Sequence, residues 1–514
     1  MSEIEKLADE MASAGTTHVF GITGSGASLL LCDRLERRGV EIVRTMFEGS
    51  AGIMAGTAGR LTGRPSAAVT IKGPGLANLI PGLAVSAFES FPMVALCEAY
   101  PPGSPPSKAH KRLDHATMTR PVVKSACPLT ERGPGFADMW RVAQDEVPGP
   151  VLLDLAGPIP DWSEPLPVRI APPGNAAVID RIAAAKRPVV IAGSLAVRLG
   201  WAEALSKLRI PVFTTASAKG AVDEQLPHAA GIFTAVGLQL TPEASLIEAA
   251  DLVVGLGLRP AELLATKPFV CPAVNIEAVA EIAGCEAFQF CAVTSVDAAG
   301  QVFAELGEKS WGIDEVMHCR SRLEHALLEG FLPGRAFRAI EDRFDRRARI
   351  VMDTGYFCTI GEHAIRAARS DLCLMSAQGR YMGTGLPMAL AAAMCAPAEP
   401  TIAVVGDGGI GMYVGELRIA VERKLPLLVV LMSDGRFGSI ATRAIKDKLS
   451  ATSFTPADPS WLKVVDGFGV PVRRAASDEQ LRDALQAWRP EDGPGYIEIA
   501  FDPDPYERMV AGIR

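Results

Sequence analysis

The sequence predicts an α/β protein made of three doubly wound, parallel-sheet domains. Short apolar runs, such as Val40–Val43, Ala67–Ile71 and Leu427–Met432, alternate with longer stretches of helical periodicity. The chain has 514 residues, more than one hydrophobic core normally serves. Glycine-rich turns follow several of the apolar runs, as strand-to-helix turns do in parallel sheets.

Taken in order, residues 4–15 read as an amphipathic helix. His18–Ile22 is a strand entering the turn Thr23-Gly24-Ser25-Gly26, and Val40–Val43 is the second strand. Glu48 opens a helix whose small residues, Ala51 to Ala58, suit very close packing against another helix. Ala67–Ile71 and Pro92–Leu96 are buried strands. The stretch Pro101–Arg120 is proline-rich and basic, a long loop. Its Lys108, His110, Lys111 and His115 either face an anionic substrate or lie on a solvated surface. Residues 1–164 make a first domain, and Pro165–Gly174 reads as a linker. Pro188–Gly193, Pro211–Thr215 and Leu252–Leu256 are strands of a middle domain, 175–330. It carries no dinucleotide fingerprint, so a structural role is expected for it and FAD is not. A polar helix near Trp311–Leu328 leads into a third domain, 335–514, running from strand Arg349–Asp353 to strand Tyr496–Ala500.

Composition narrows the function. The net charge of −8 and the lack of a basic run argue against nucleic acid as a partner. Apolar stretches are too short or too broken by glycine and proline to span a bilayer. The ten cysteines include no C-x-x-C pair, and the acidic start lacks a signal-peptide core. A cytoplasmic protein with reduced thiols is expected.

The chemistry concentrates between Val404 and Ile440. A buried strand ends at Gly406-Asp407-Gly408-Gly409, which is read as a sharp turn. In the helix that follows, Met412, Leu417, Ile419, Ala420 and Val421 share a buried side, with Glu416, Arg418, Glu422 and Arg423 outside. A second strand ends at Ser433-Asp434-Gly435, so Asp434 lies twenty-seven positions after Asp407. If the strands are parallel, both aspartates meet at their carboxyl ends, where open α/β sheets bind ligands. Two carboxylates beside glycine-opened backbone suit a hard divalent cation holding a diphosphate; otherwise they cap helices or turns.

This motif resembles that of the thiamine diphosphate (ThDP) enzymes, Gly-Asp-Gly followed by an asparagine-containing turn. Further blocks are similar to the same family, in its order and approximate spacing. They are Phe47-Glu48-Gly49-Ser50-Ala51 with Ala55 to Gly63, Lys72-Gly73-Pro74-Gly75-Leu76-Ala77-Asn78, and Gly383-Thr384-Gly385-Leu386-Pro387. The likeness is to the acetolactate synthase, pyruvate oxidase and benzoylformate decarboxylase branch and spans nearly the whole chain.

The resemblance implies roles. Glu48 would hydrogen-bond the cofactor's pyrimidine ring and so activate the thiazolium C2. Met382, twenty-five positions before Asp407, would wedge the cofactor in its bent form. Asp407, Asp434 and the Arg436 carbonyl would ligate Mg2+, with Gly408 and Gly409 offering N–H groups to the diphosphate. Ser25, Gly26, Asn78, Gly379, Gly406, Phe437 and Gly438 complete the expected cofactor contacts. His110 and Lys111 match positions that line the site in relatives. Three features depart from the pattern. Asp434 replaces the usual asparagine, Lys72 a usually uncharged residue, and Ile71 a catalytic histidine of benzoylformate decarboxylase. Lys72 either anchors an anionic substrate, or turns outward or pairs with a structural acid. The implied activity is cleavage or formation of a C–C bond beside a carbonyl, by a 2-keto acid decarboxylase or carboligase that is a homodimer or homotetramer. Acetolactate synthase proper is the alternative. A silent subunit of the same fold is the reading from another class, and intact Glu48, Met382 and Asp407 argue against it.

Overall fold

The structure, a computed structural model, describes residues 3–100, 111–130, 133–155, 176–279, 288–450 and 459–513. The expected linker Pro165–Gly174 lies outside them, as do Lys108 and His110.

Three six-stranded, all-parallel sheets with interleaved helices make up the fold, as the alternating pattern implies. The first contains β1 (His18–Gly21), β2 (Glu41–Arg44), β3 (Ala67–Thr70), β4 (Met93–Cys97), β5 (Ser125–Pro128) and β6 (Pro150–Asp154), ordered β2-β1-β3-β4-β6-β5. The second contains β7 (Pro188–Ala192), β8 (Val212–Thr214), β9 (Ala229–Ile232), β10 (Leu252–Leu256), β11 (Ala273–Glu277) and β12 (Ala292–Ser295), ordered β12-β11-β10-β7-β8-β9. The third contains β13 (Arg349–Met352), β14 (Cys373–Met375), β15 (Thr401–Gly406), β16 (Leu427–Ser433), β17 (Val472–Ala475) and β18 (Gly495–Ala500), ordered β14-β13-β15-β16-β18-β17. The first and third sheets thus share one topology. Central strands such as β3, β4 and β10 are buried along their whole length, as strands covered on both faces must be.

The first and third domains share a core. Ala51, Ile53 and Met54 of helix Glu48–Thr62 belong to one apolar cluster with Leu386, Ala389 and Ala392 of helix Gly385–Cys395. The small-residue face expected there is used. A Cβ on Gly52 would lie 2.8 Å from Gly82 Cα, so helix Glu48–Thr62 touches helix Pro74–Glu89 backbone to backbone.

One local expectation fails. No turn separates β15 from the following helix, which starts at Asp407 itself and ends at Tyr413. A tighter 3-10 turn, Val414–Glu416, intervenes before helix Leu417–Arg423. The change of period rotates the side chains: Glu416 is buried, Met412 is half exposed and Val421 is only partly covered.

In the middle domain the order of the strands reverses between β7 and β10, where doubly wound sheets commonly take a nucleotide. Here Glu262 fills that place. Its carboxylate accepts from Ser194 N–H at 2.9 Å, Ser194 Oγ at 2.6 Å and Thr215 Oγ1 at 2.5 Å. A Cβ on Gly193, after β7, would lie 2.0 Å from the Gly257 carbonyl oxygen, after β10, so the two turns close on each other. Addition of FAD or ADP is expected to leave the melting temperature unchanged; a saturable upward shift in a thermal melt would refute that. Among the described residues no helix is long and apolar enough to cross a membrane.

Candidate active site

β15 and β16 run parallel, with Gly406 beside Met432, so the residues that follow each strand emerge side by side. Asp407 and Asp434 line one cavity of about 180 Å³, together with Met382, Phe437 and the glycines 406, 408, 409 and 438. Gly435 N–H donates to Asp407 Oδ2 at 2.9 Å, which ties the turn after β16 to the first residue of the helix after β15. Asp434 Oδ1 accepts from Arg436 N–H at 3.3 Å. The Arg436 guanidinium lies 3.3 Å from Asp504, while the residue lines the cavity.

The glycines are needed where they stand. A Cβ on Gly408 would lie 2.2 Å from the Phe437 ring, and one on Gly409 would lie 1.8 Å from Asp353 Oδ2. Two carboxylates and open backbone at strand ends form the oxygen-rich donor set that a hard cation and a diphosphate require, so the residues present fit that group. Met382, 37% exposed, sits at the same cavity with its sulfur 3.2 Å from where a Gly408 Cβ would be. Its position is held from behind. Asp353, fully buried at the end of β13, accepts Gly383 N–H at 2.8 Å and Thr354 N–H at 2.8 Å. Burial pushes the Asp353 carboxyl up to about 7 against the pull of those amides.

The other half gathers at the carboxyl end of the first sheet. Glu48 is buried at the start of its helix, and Asn78 Nδ2 donates to its Oε2 at 3.1 Å. Gly75 of the Gly-Pro-Gly loop lies beside Oε1, and a Cβ there would meet Thr70 Oγ1 at 2.2 Å, so the loop packs closely on the end of β3. Lys72 is paired: its Nζ lies 3.2 Å from Glu98 Oε2 and 5.1 Å from the centre of the Tyr100 ring. Glu98 lies beneath the turn at Gly24 and Gly26 and also accepts from Ser28 N–H at 3.0 Å and Ser28 Oγ at 2.5 Å. Burial acts to raise the Glu98 carboxyl, but the Ser28 hydrogen bonds and the Lys72 ammonium outweigh it and hold it below its ordinary value. Ser25 and Gly26 are exposed. Lys111 is exposed, and its carbonyl abuts Gly73, where a Cβ would come within 2.0 Å.

His115, left open between substrate and surface by the sequence, is a buried residue of the scaffold. Its Nε2 accepts from Gly73 N–H at 3.2 Å, so Nδ1 carries the hydrogen donated to Asp154 Oδ1 at 3.0 Å. Cys97 approaches both, but the two ring nitrogens are engaged and burial keeps the thiol protonated. The cluster fixes the Gly73 turn and is not set up to ligate a metal.

The cavity thus brings together Met382, Gly406, Asp407, Gly408, Gly409, Asp434, Arg436, Phe437 and Gly438. Ser25, Gly26, Glu48, Lys72, Asn78, Lys111 and Gly379 are not among its lining residues. Sequence reasoning missed Glu98, Asp353, Glu89 and Glu416. The only local signal for the first two was an acid directly after an apolar strand.

Doubly wound domains, glycine-opened strand ends bearing two aspartates, and a separate buried glutamate define an enzyme of the diphosphate-cofactor class. Comparison with known proteins identifies the cofactor. The models for thiamine pyrophosphate enzymes match as N-terminal TPP-binding domain over residues 1–118, central domain over 176–282 and C-terminal TPP-binding domain over 353–499. The chain belongs to the thiamine pyrophosphate (ThDP) enzyme family. It is 27% identical to an acetolactate synthase of Bacillus subtilis over 97% of this chain and 93% of that protein. It is 26% identical to a catabolic acetolactate synthase of Raoultella terrigena, over 96% of this chain and 94% of that one. Identity is 28% to a probable 2-ketoarginine decarboxylase of Pseudomonas aeruginosa, over 95% of this chain and 92% of that protein.

Proposed function

We propose that this ThDP enzyme uses Mg2+ to hold the cofactor diphosphate and breaks or forms the C–C bond beside the carbonyl of a 2-keto acid. The observation that carries the reading is the cavity that joins Asp407, Asp434 and Met382, with Glu48 buried at the facing kind of strand end in the topologically matching domain. The bound cofactor supplies an electron sink for the pair released at the carbonyl carbon. Asp407 and Asp434 hold the cation, joined by the Arg436 carbonyl. Met382 orients the cofactor, and Glu48 holds a proton at Oε1 toward its pyrimidine ring. Glu48 does not line the cavity of its own chain. We take the two halves to meet between subunits of a homodimer or homotetramer, as the family resemblance implies, and a fully active monomer in light scattering would refute this.

Calorimetric titration with ThDP, with and without Mg2+, tests the cofactor assignment. Metal-dependent binding followed by CO₂ release from a panel of 2-keto acids is expected. Absence of binding would sink the reading. Joining of two pyruvates is the second reading, favoured by the near full-length similarity to acetolactate synthases, and a product assay for acetolactate separates it.

Lys72 bears on the choice of substrate. Its pair with Glu98 leaves the side chain a quarter exposed at the strand ends, where an anionic group can still reach it. Lys72→Met is expected to raise KM for the anionic substrate about tenfold or more, the worth of one charge-assisted hydrogen bond. Unchanged KM and kcat would confine Lys72 to serving Glu98.

A further inference from the structure

Two buried carboxylates outside the cavity cross between the first and third domains in opposite directions. Glu89 ends helix Pro74–Glu89 of the first domain, yet its partners all belong to the third. Its Oε1 accepts from Ser376 Oγ at 2.8 Å and Gly379 N–H at 2.8 Å, while its Oε2 accepts from Ala377 N–H at 2.9 Å and Gln378 N–H at 3.2 Å. Glu416 closes the 3-10 turn of the third domain, yet it binds the first. It accepts from Met46 N–H at 3.0 Å, Phe47 N–H at 3.1 Å and the Ser50 hydroxyl.

The segments they hold are the ones that deliver the cofactor residues. Met46 and Phe47 directly precede Glu48, and Ser50 lies in the first turn of its helix. Residues 376–379 lead into Met382, whose far side is held by Asp353 through Gly383. Resting on the ThDP assignment above, we infer that Glu89 and Glu416 are reciprocal positioning residues, Glu416 setting the placement of Glu48 and Glu89 that of the Met382 loop.

The physical argument is one of cost. Glu89 and Glu416 are 7% and 1% exposed, and among the described residues neither has a cationic side chain as a hydrogen-bond partner, although the Arg418 charge acts on Glu416 and Arg380 and Glu89 interact through space. Burial pushes both carboxyls up, and the donated hydrogen bonds pull them part of the way back. A buried acid held only by amides and hydroxyls is expensive unless its donors are fixed in place. The converse is that the acid fixes the donors. Three or four charge-assisted bonds on one carboxylate define a loop far more sharply than apolar contact, which lets chains slide. Misplacement of a catalytic group by about 1 Å costs on the order of 10²-fold in rate.

Glu416→Gln and Glu89→Gln keep volume but present an amide N–H₂ to backbone donors. In the apoprotein, amide hydrogen exchange read by mass spectrometry should show residues 44–50 deprotected by the first change only and residues 376–383 by the second only. With ThDP and Mg2+, Glu416→Gln is expected to keep the cofactor Kd within about threefold while proton exchange at the thiazolium C2 slows about 10–100-fold. Glu89→Gln is expected to weaken cofactor binding more than tenfold, with Glu89→Asp and Glu416→Asp restoring part of each loss. If a glutamine variant does not fold, the aspartate variant is compared with wild type, and the same segment is expected to be deprotected to a smaller extent. Lowered melting temperatures with Kd and C2 exchange at wild-type values would overturn the proposal and leave the two acids as domain adhesive. Wild-type protein that binds no ThDP would overturn the cofactor assignment instead, and the apoprotein exchange would still decide whether the clamps hold their loops.

Discussion

Glu48→Gln is expected to lower turnover by about 10²–10⁴-fold, the usual worth of a positioned acid–base group. The fold and the cofactor Kd should stay close to wild type. The site explains why the loss would be selective. Oε2 is occupied by Asn78, and a glutamine can place its carbonyl oxygen there and keep that bond. What it cannot do is share an acid proton with the pyrimidine ring at Oε1. Steady-state rates with a competent 2-keto acid, alongside calorimetry, make the test. Wild-type turnover in the variant would remove Glu48 from the chemistry.

Asp407→Ala is expected to weaken cofactor binding more than about 100-fold in the presence of Mg2+ and to abolish the difference between titrations with and without the metal. Loss of mere outer-shell partners already costs about 10–100-fold in metal sites, so loss of a direct ligand sets that as a lower bound. Asp407 has a second task, because its Oδ2 receives Gly435 N–H and steadies the turn that carries Asp434. Asp407→Asn retains an acceptor for that N–H but lacks the charge. It separates charge from coordination, because an amide oxygen can still ligate a hard cation: persistent metal dependence in Asp407→Asn, with a Kd near wild type, would show that the negative charge at this position is dispensable. A metal-dependent Kd preserved in Asp407→Ala would refute the ligand role outright.

The meeting of Asp407 and Asp434 at one cavity was readable because their spacing is a consequence of geometry. A strand, a helix and a returning parallel strand bring Asp407 and Asp434 to one edge, and β15 and β16 run as that spacing requires. The glycines were readable for the same reason, since close approach by Phe437 and Asp353 admits no side chain. Glu416 was misread because helical periodicity was carried through a segment that tightens into a 3-10 turn. Glu89 was invisible for a different reason. Its partner Ser376 lies 287 positions away, and no local pattern encodes a bond formed only when two domains dock. The sequence left Lys72 open between an anchor for an anion, an outward-turned side chain and the partner of an acid. Glu98, twenty-six positions on, is that acid, but the strand-end neighbourhood of β3 and β4 that joins them is a property of the sheet order.

The Glu262 carboxylate gives the middle domain an unusual independence. A domain with an empty nucleotide crevice gains stability by mass action as its ligand accumulates. This one carries a side chain of its own at that place, held by Ser194 and Thr215, so the ties that close the crevice are intramolecular and do not rise or fall with the concentration of any solute.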